Sequence, residues 1–135
     1  MVYHEFTLAD QSQFINTNGR AEWGKAYHGM LMGDGVTYQS ATDLILRGGF
    51  NRTGTLNNTL DTAFRQIGDQ WPCFALSKDL GTINAASNPV VFAVGLTRDP
   101  AIEYLTSSGA QMRSLYYRAQ FATDQDAVSL FGTWQ

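Results

Sequence analysis

The stretch Pro89-Val-Val-Phe-Ala-Val-Gly-Leu-Thr97 is apolar at almost every position. A continuous apolar run of this length predicts a buried central strand, and Asp99-Pro100 ends it. Upstream, Trp71 to Leu80 also reads as extended, with a turn region over residues 81 to 88. Further back, Val36 to Ser40 and Asp43 to Phe50 read as strands, the second rich in Leu and Ile. Gly33-Asp-Gly35 is a hairpin turn signal ahead of them. Residues 22 to 32 carry Trp23, Tyr27, Met30 and Met32 with Gly24 and Gly29 among them. Those glycines argue for a strand with a bulge and against a helix. Residues 2 to 8 alternate as a first strand, and residues 11 to 20 are polar and end in a turn at Asn16-Thr-Asn-Gly19. Downstream, 102 to 105 and 114 to 119 read as short extended pieces.

Two segments depart from this pattern. Residues 51 to 70 are dense in Asn, Thr, Gly and Asp and too long for a hairpin loop. Loops of this length are functional or packed by their own side chains. Leu60 to Ile67 could add about two helical turns inside it. The last segment is helical: Thr123 or Asp124 can cap it, and the carboxylates of Asp124 and Asp126 favour the positive end of the helix dipole. Ala127, Val128, Leu130 and Phe131 give it an apolar stripe, and it should run to Trp134. Helices do not alternate with strands. The expectation is therefore a mainly β chain, an antiparallel β-sandwich-like domain with a long central loop and a short C-terminal helix.

Composition fits one folded domain over residues 1–135. The chain has 135 residues, 44% of them hydrophobic, 13% aromatic and 16% charged. The charged fraction is below the ~25% of ordinary domains, which excludes disorder rather than suggesting it. A net charge of -3 leaves no basic footprint for nucleic acid. No run is apolar enough to span a membrane, and Met1 to Leu8 lacks the basic start and apolar core of a signal peptide. One cysteine excludes a disulfide framework and a Cys-rich zinc site. His4 and His28 are the only histidines, no metal-ligand spacing is present, and no metal or cofactor is expected. Asn51-Arg-Thr53 and Asn57-Asn-Thr59 are glycosylation sequons, and their proximity points to a secretory origin.

Chemistry-bearing residues are sparse. Cys73 follows Trp71-Pro72 in an apolar strand, and nothing in the sequence places a histidine base beside it. Asp61, Asp69, Asp79, Asp99 and Glu103 could supply an acid–base pair, but Arg65 and Arg98 can pair with the same carboxylates as structural bridges. Among these, Asp69, Cys73 and Asp79 are the candidates an amidohydrolase would need. Trp23, Tyr27 and Trp71 are candidates for stacking on a sugar, against the commoner role of strand aromatics as core. No Gly-x-Ser-x-Gly or dinucleotide loop is present.

The central segment carries a longer pattern: Leu56-Asn-Asn-Thr-Leu-Asp61-Thr-Ala-Phe64-Arg65-Gln-Ile67-Gly-Asp69-Gln-Trp71-Pro72-Cys-Phe74-Ala-Leu-Ser-Lys-Asp79-Leu80-Gly81. It resembles the N-terminal domain of the fungal glutaminase A family. Ala21-Glu22-Trp23-Gly24, Val36-Thr37-Tyr38-Gln39-Ser40, Ile45-Leu46-Arg47-Gly48-Gly49-Phe50, Arg98-Asp99-Pro100-Ala101-Ile102 and Asp126-Ala127-Val128-Ser129-Leu130-Phe131 fit the same family. The resemblance runs over nearly the whole chain and implies the second half of that N-terminal domain. Family members are large secreted proteins that hydrolyse glutamine to glutamate and ammonia, with a β-sandwich-like domain ahead of a helical one. The resemblance places no catalytic residue on a position here, and Cys73 stands where the family more often has an aliphatic residue.

Half a sandwich exposes strand edges and an apolar face. Self-association through paired edges or swapped strands follows, so a homodimer or larger assembly is expected. Three functions remain open: a non-catalytic glutaminase A-type domain, a small secreted lectin-like or immunomodulatory protein with a carbohydrate or cell-surface ligand, and a small amidohydrolase.

Overall fold

The computed structural model describes residues 1–85 and 88–130. In chain order the elements are β1 (Val2–Thr7), β2 (Asn16–Thr17), β3 (Arg20–Ala21), β4 (Lys25–Met30), β5 (Val36–Thr42), α1 (Asp43–Thr53), β6 (Pro72–Lys78), β7 (Phe92–Thr97), β8 (Ile102–Thr106), β9 (Gly109–Arg113), a 3-10 turn (Tyr116–Ala119) and α2 (Asp124–Leu130). The chain is mainly β, as expected. One sheet has the order β1-β4-β7, and β2-β3, β5-β6 and β8-β9 form separate pairs, each antiparallel. No helix among the described residues is long and apolar enough to cross a membrane. The chain divides into two compact units, one of Met1–Tyr3 and Gly29–Phe92, the other of His4–His28 and Ala93–Gln135.

In the first unit β5 and β6 pair over their full length, from Val36 opposite Lys78 to Thr42 opposite Pro72. Between them the chain makes α1, which corrects the strand expected over residues 43 to 50. A short apolar run such as Leu44-Ile-Leu46 fits either period, and here the flanks decide. The Thr42 hydroxyl accepts from the Ile45 N–H at 3.4 Å. At the other end Gly54 sits at φ 69°, and its N–H returns to the Phe50 carbonyl at 2.8 Å. That left-handed cap suits glycine. Asp43 lies in the first turn and pairs with Arg47 one turn on. Leu46 is the buried residue of the helix; it meets Ala41 and Leu56, with Cys73 and Ala75 packed against them.

The second unit holds most of the three-stranded sheet. β7 is an edge strand, not the buried central strand its apolar run predicts. Phe92, Val94 and Leu96 face outward, while Ala93, Gly95 and Thr97 alternate with them on the less exposed side. A Cβ on Gly95 would sit 3.8 Å from Tyr27 Cβ, so the inward positions are small where Tyr27 packs. Asn18 and Gly19 have φ of 52° and 76° and turn β2 into β3, the left-handed pair a two-residue hairpin needs. Gly33-Asp-Gly35 does not make the expected hairpin: β4 and β5 belong to different sheets. Residues 116 to 119 form the 3-10 turn rather than an extended piece. α2 begins where its caps predict, with the Thr123 hydroxyl and the Asp126 N–H bonded at 3.1 Å and the Asp126 carboxylate reaching back to the Thr123 N–H at 3.1 Å. Its expected continuation to Trp134 lies outside the described residues.

Candidate functional site

The long loop of the first unit is not helical over Leu60 to Ile67. It runs beside β5 instead, and polar side chains of that strand hold it there. The Leu56 N–H donates to Thr37 Oγ1 at 3.1 Å, Asn57 N–H to Gln39 Oε1 at 3.3 Å, and Asp61 N–H to Ser40 Oγ at 2.8 Å. In return Asn58 Oδ1 accepts from the Tyr38 N–H at 2.9 Å, and the Thr59 carbonyl from the Ser40 N–H at 3.0 Å. Gln39 and Thr59 thereby form a parallel bridge. Gln39 and Ser40 are buried, which polar strand residues tolerate only when bonded in this way.

Beyond Thr59 the loop closes on itself through Asp61 and Arg65. Asp61 Oδ1 accepts from the Ala63 N–H at 3.0 Å, an Asx turn that diverts the backbone from the helix expected there. Arg65 Nη2 meets Asp61 Oδ2 at 2.6 Å, Nη1 the Ala63 carbonyl at 2.6 Å, and Nε the Asp69 carbonyl at 3.1 Å. The Arg65 hydrogen bond, then the Ala63 N–H, hold the Asp61 carboxyl below its ordinary range. Gln70 and Trp71 follow at φ 56° and 47°, a left-handed pair that reverses the chain into β6. The Trp71 carbonyl accepts from the Asp43 N–H at 2.9 Å, which fixes the turn against the start of α1.

These pieces enclose an open groove of about 500 Å³. Gln39, Ser40, Thr59, Asp61, Arg65 and Gln70 give it polar walls, and Ile45 and Phe64 an apolar rim. Phe64 is 94% exposed and Trp71 66%. Sequence reasoning located the loop but missed the role of Thr37, Gln39 and Ser40. Their signal was polarity inside a strand.

The predicted site residues do not converge. Asp69 borders the groove, whereas Asp79 lies at the far end of the β5-β6 pair, accepting the Gly81 N–H at 2.8 Å. The seven-residue strand between them spans about 20 Å at ~3.3 Å per residue, beyond the reach of a carboxylate pair sharing one bond. Cys73 Sγ donates to Asp43 Oδ1 at 3.6 Å and to the Trp71 carbonyl at 3.5 Å. Burial first, then Asp43, push its pKa up, so the thiol form prevails. Cys73 belongs to the first unit; His4 and His28 belong to the second. Asn51, on α1, and Asn57, in the loop, are both exposed. No group of three or more His, Cys, Asp or Glu among the described residues is placed to hold a metal ion.

Trp23 and Tyr27 are core residues of the second unit, 9% and 2% exposed. Trp23 Nε1 donates to the Pro100 carbonyl at 2.9 Å, the Arg98 guanidinium lies 4.8 Å over its ring, and Phe14 packs 5.2 Å away. Of the three aromatics expected to stack on a sugar, Trp71 is the exposed one. The second unit also carries a polar network around buried Asp124, which accepts from Thr97 Oγ1 at 3.0 Å and from the Tyr117 hydroxyl at 2.8 Å. Burial, then the bond to Asp124, push the Tyr117 pKa up to about 12. Arg118 bridges to Asp99 at 2.9 Å. Each of these groups is matched to another, the pattern of a structural network.

A family model described as a domain of unknown function (DUF5127) matches residues 1–133. The chain belongs to this family. This DUF5127 domain is 33% identical over 132 residues to the N-terminal part of a glutaminase A from Aspergillus oryzae, a match covering 97% of this chain and 19% of that protein. It is 34% identical over 116 residues to a probable glutaminase of Arthroderma benhamiae, covering 80% of this chain and 13% of that relative. The chain thus spans a fifth or less of the curated relatives it matches. No solved structure matches this DUF5127 domain.

Proposed function

We propose that the chain is a non-catalytic domain of the glutaminase A family that acts by binding, including self-association, rather than by hydrolysis. The observation that carries this reading is the occupancy of the groove's own chemistry. Asp61 is committed to Arg65, and three nitrogens of Arg65 are committed to loop acceptors. The Cys73 thiol is held protonated against Asp43. A thiol attacks as thiolate, which burial and the Asp43 contact both disfavour here, and a general acid needs a carboxyl whose pKa is raised, whereas that of Asp61 is lowered. Exposed Phe64 and Trp71 instead offer contact area, the usual currency of a binding surface. Secretion belongs to the same proposal, supported by the exposure of Asn51 and Asn57 in their sequons.

The test is ammonia release from L-glutamine by the purified 135-residue chain. The expected result is no release above a heat-killed sample. Release that disappears in Cys73→Ala or Asp69→Asn, with the circular dichroism spectrum unchanged, would establish a small amidohydrolase instead. A second reading, a lectin-like or immunomodulatory protein, is favoured by the exposed ring of Trp71. Sugar-inhibited agglutination that is lost in Trp71→Ala would select it.

A further inference from the structure

We infer that the groove face of the first unit is a two-fold docking surface for a second copy of this chain, with Phe64 of each copy entering the groove of the other. This rests on the binding reading above and names its surface. Knob and hole lie side by side. Phe64 is 94% exposed at the rim of the groove it lines. The groove measures about 500 Å³, while a ~150 Å³ cavity suffices for a benzene ring. A protrusion beside a cavity on one patch is self-complementary under a two-fold axis, the isologous arrangement of closed dimers.

The area is sufficient. Ile45, Phe64, Ile67 and Trp71, on the rim and on the loop that bounds it, are 60%, 94%, 75% and 66% exposed. With 150–250 Å² for each full aromatic, Phe64 and Trp71 offer roughly 300 Å², and the two smaller isoleucines bring the patch to roughly 500 Å² of apolar surface per copy. Two copies then offer about 1,000 Å² of apolar area, the lower bound of a specific interface, before any polar rim is counted. Of the charges in the groove wall, Asp61 and Arg65 neutralise each other, and Asp69 leaves one exposed carboxylate per copy, a repulsion that salt screens. The surface is also preorganised. Arg65 ties the loop at three points and the Gln70–Trp71 turn is pinned to α1, so docking orders little new chain.

The experiment is light scattering on the chain over about a hundredfold range of concentration, with tryptophan quenching by acrylamide on the same samples. The expected mass is twice 14.9 kDa at the upper end, falling on dilution while quenching rises as Trp71 is uncovered. Phe64→Asp and Trp71→Asp should each raise the concentration needed for dimer at least tenfold with the circular dichroism spectrum retained. Val94→Asp, on the exposed side of β7, should leave the mass unchanged. A monomer throughout, with quenching independent of concentration, overturns the inference and leaves this face to the rest of a longer family protein. A dimer broken by Val94→Asp and not by the loop variants also overturns it. The quenching arm needs no variant, so a variant that fails to fold does not remove the test. A dimer that releases ammonia refutes the non-catalytic reading and spares the docking, and a silent monomer refutes the docking and self-association and spares the non-catalytic reading.

Discussion

Burial keeps the Cys73 thiol protonated, and the Asp43 carboxylate, which shares the thiol proton with the Trp71 carbonyl, reinforces this. Thiolate, not thiol, attacks a disulfide reagent. Near pH 8 such a reagent should therefore modify the folded chain several-fold more slowly than the chain unfolded in urea; equal rates would show that neither burial nor the Asp43 contact protects it. Asp61 carries the opposite shift. Its carboxyl is held below the ordinary value near ~3.9 by Arg65 and the Ala63 N–H. A depressed folded pKa contributes stability that is complete above the unfolded pKa and is lost as pH falls through the folded one. Asp61→Asn should lower the melting temperature at pH 7, and the gap between variant and parent should close towards pH 2. The Asp61 side chain is 23% exposed, so the gap should also narrow in high salt. A gap that persists at pH 2 would mean that Asp61 acts through packing rather than charge.

At the scale of elements, α1 depends on its two ends, because Leu46 is its buried side chain. Thr42→Ala removes the acceptor for the Ile45 N–H and should cost about 1 kcal/mol. Gly54→Ala forces a Cβ into φ 69° and should cost about 1–2 kcal/mol. Urea denaturation reads both, and unchanged midpoints would show that tertiary contacts, not caps, hold the helix. Those same caps explain what the sequence disclosed and what it withheld. Asn18-Gly19 and Thr123 with Asp126 speak through local bonds, and both elements stand where their residues predict. Thr42 and Gly54 are also local signals, but the apolar run between them reads equally as a strand. β7 was misplaced for a different reason. An apolar run shows that a strand exists, not which of its faces is covered, and its outward Phe92, Val94 and Leu96 look no different in sequence from core. The groove was half legible. The loop's length and polarity marked it, yet Thr37, Gln39 and Ser40, which fix its course, are remote in sequence, and the pairing with Asn57 and Asp61 is set by tertiary position.

At the scale of the whole molecule, the described residues are thinly cored. No large side chain among the described residues is less than 2% exposed, and the apolar cluster of the first unit is built on Ala41, Leu46 and Leu56. Burial of apolar area is the main favourable term in folding, so a domain with this much apolar surface outside has little reserve by itself. Covering the groove face would supply part of what is missing, and the linkage is quantitative. A partner that binds the folded chain alone stabilises it by about 2.7 kcal/mol at a hundredfold excess over Kd. For a chain of this size each kcal/mol moves the melting temperature by roughly 4 °C. If the second copy is that partner, the free chain grows only as about the square root of the total, so the gain from Kd to a hundred times Kd is about 1.2 kcal/mol and the melting temperature should rise by roughly 5 °C. The same series on Phe64→Asp should be nearly flat, and it should sit at the dilute value of the parent rather than below it, since Phe64 is almost wholly exposed in the single chain. A flat parent series would place the stabilising contact elsewhere, because an interface that adds nothing to stability on concentration is not one that forms.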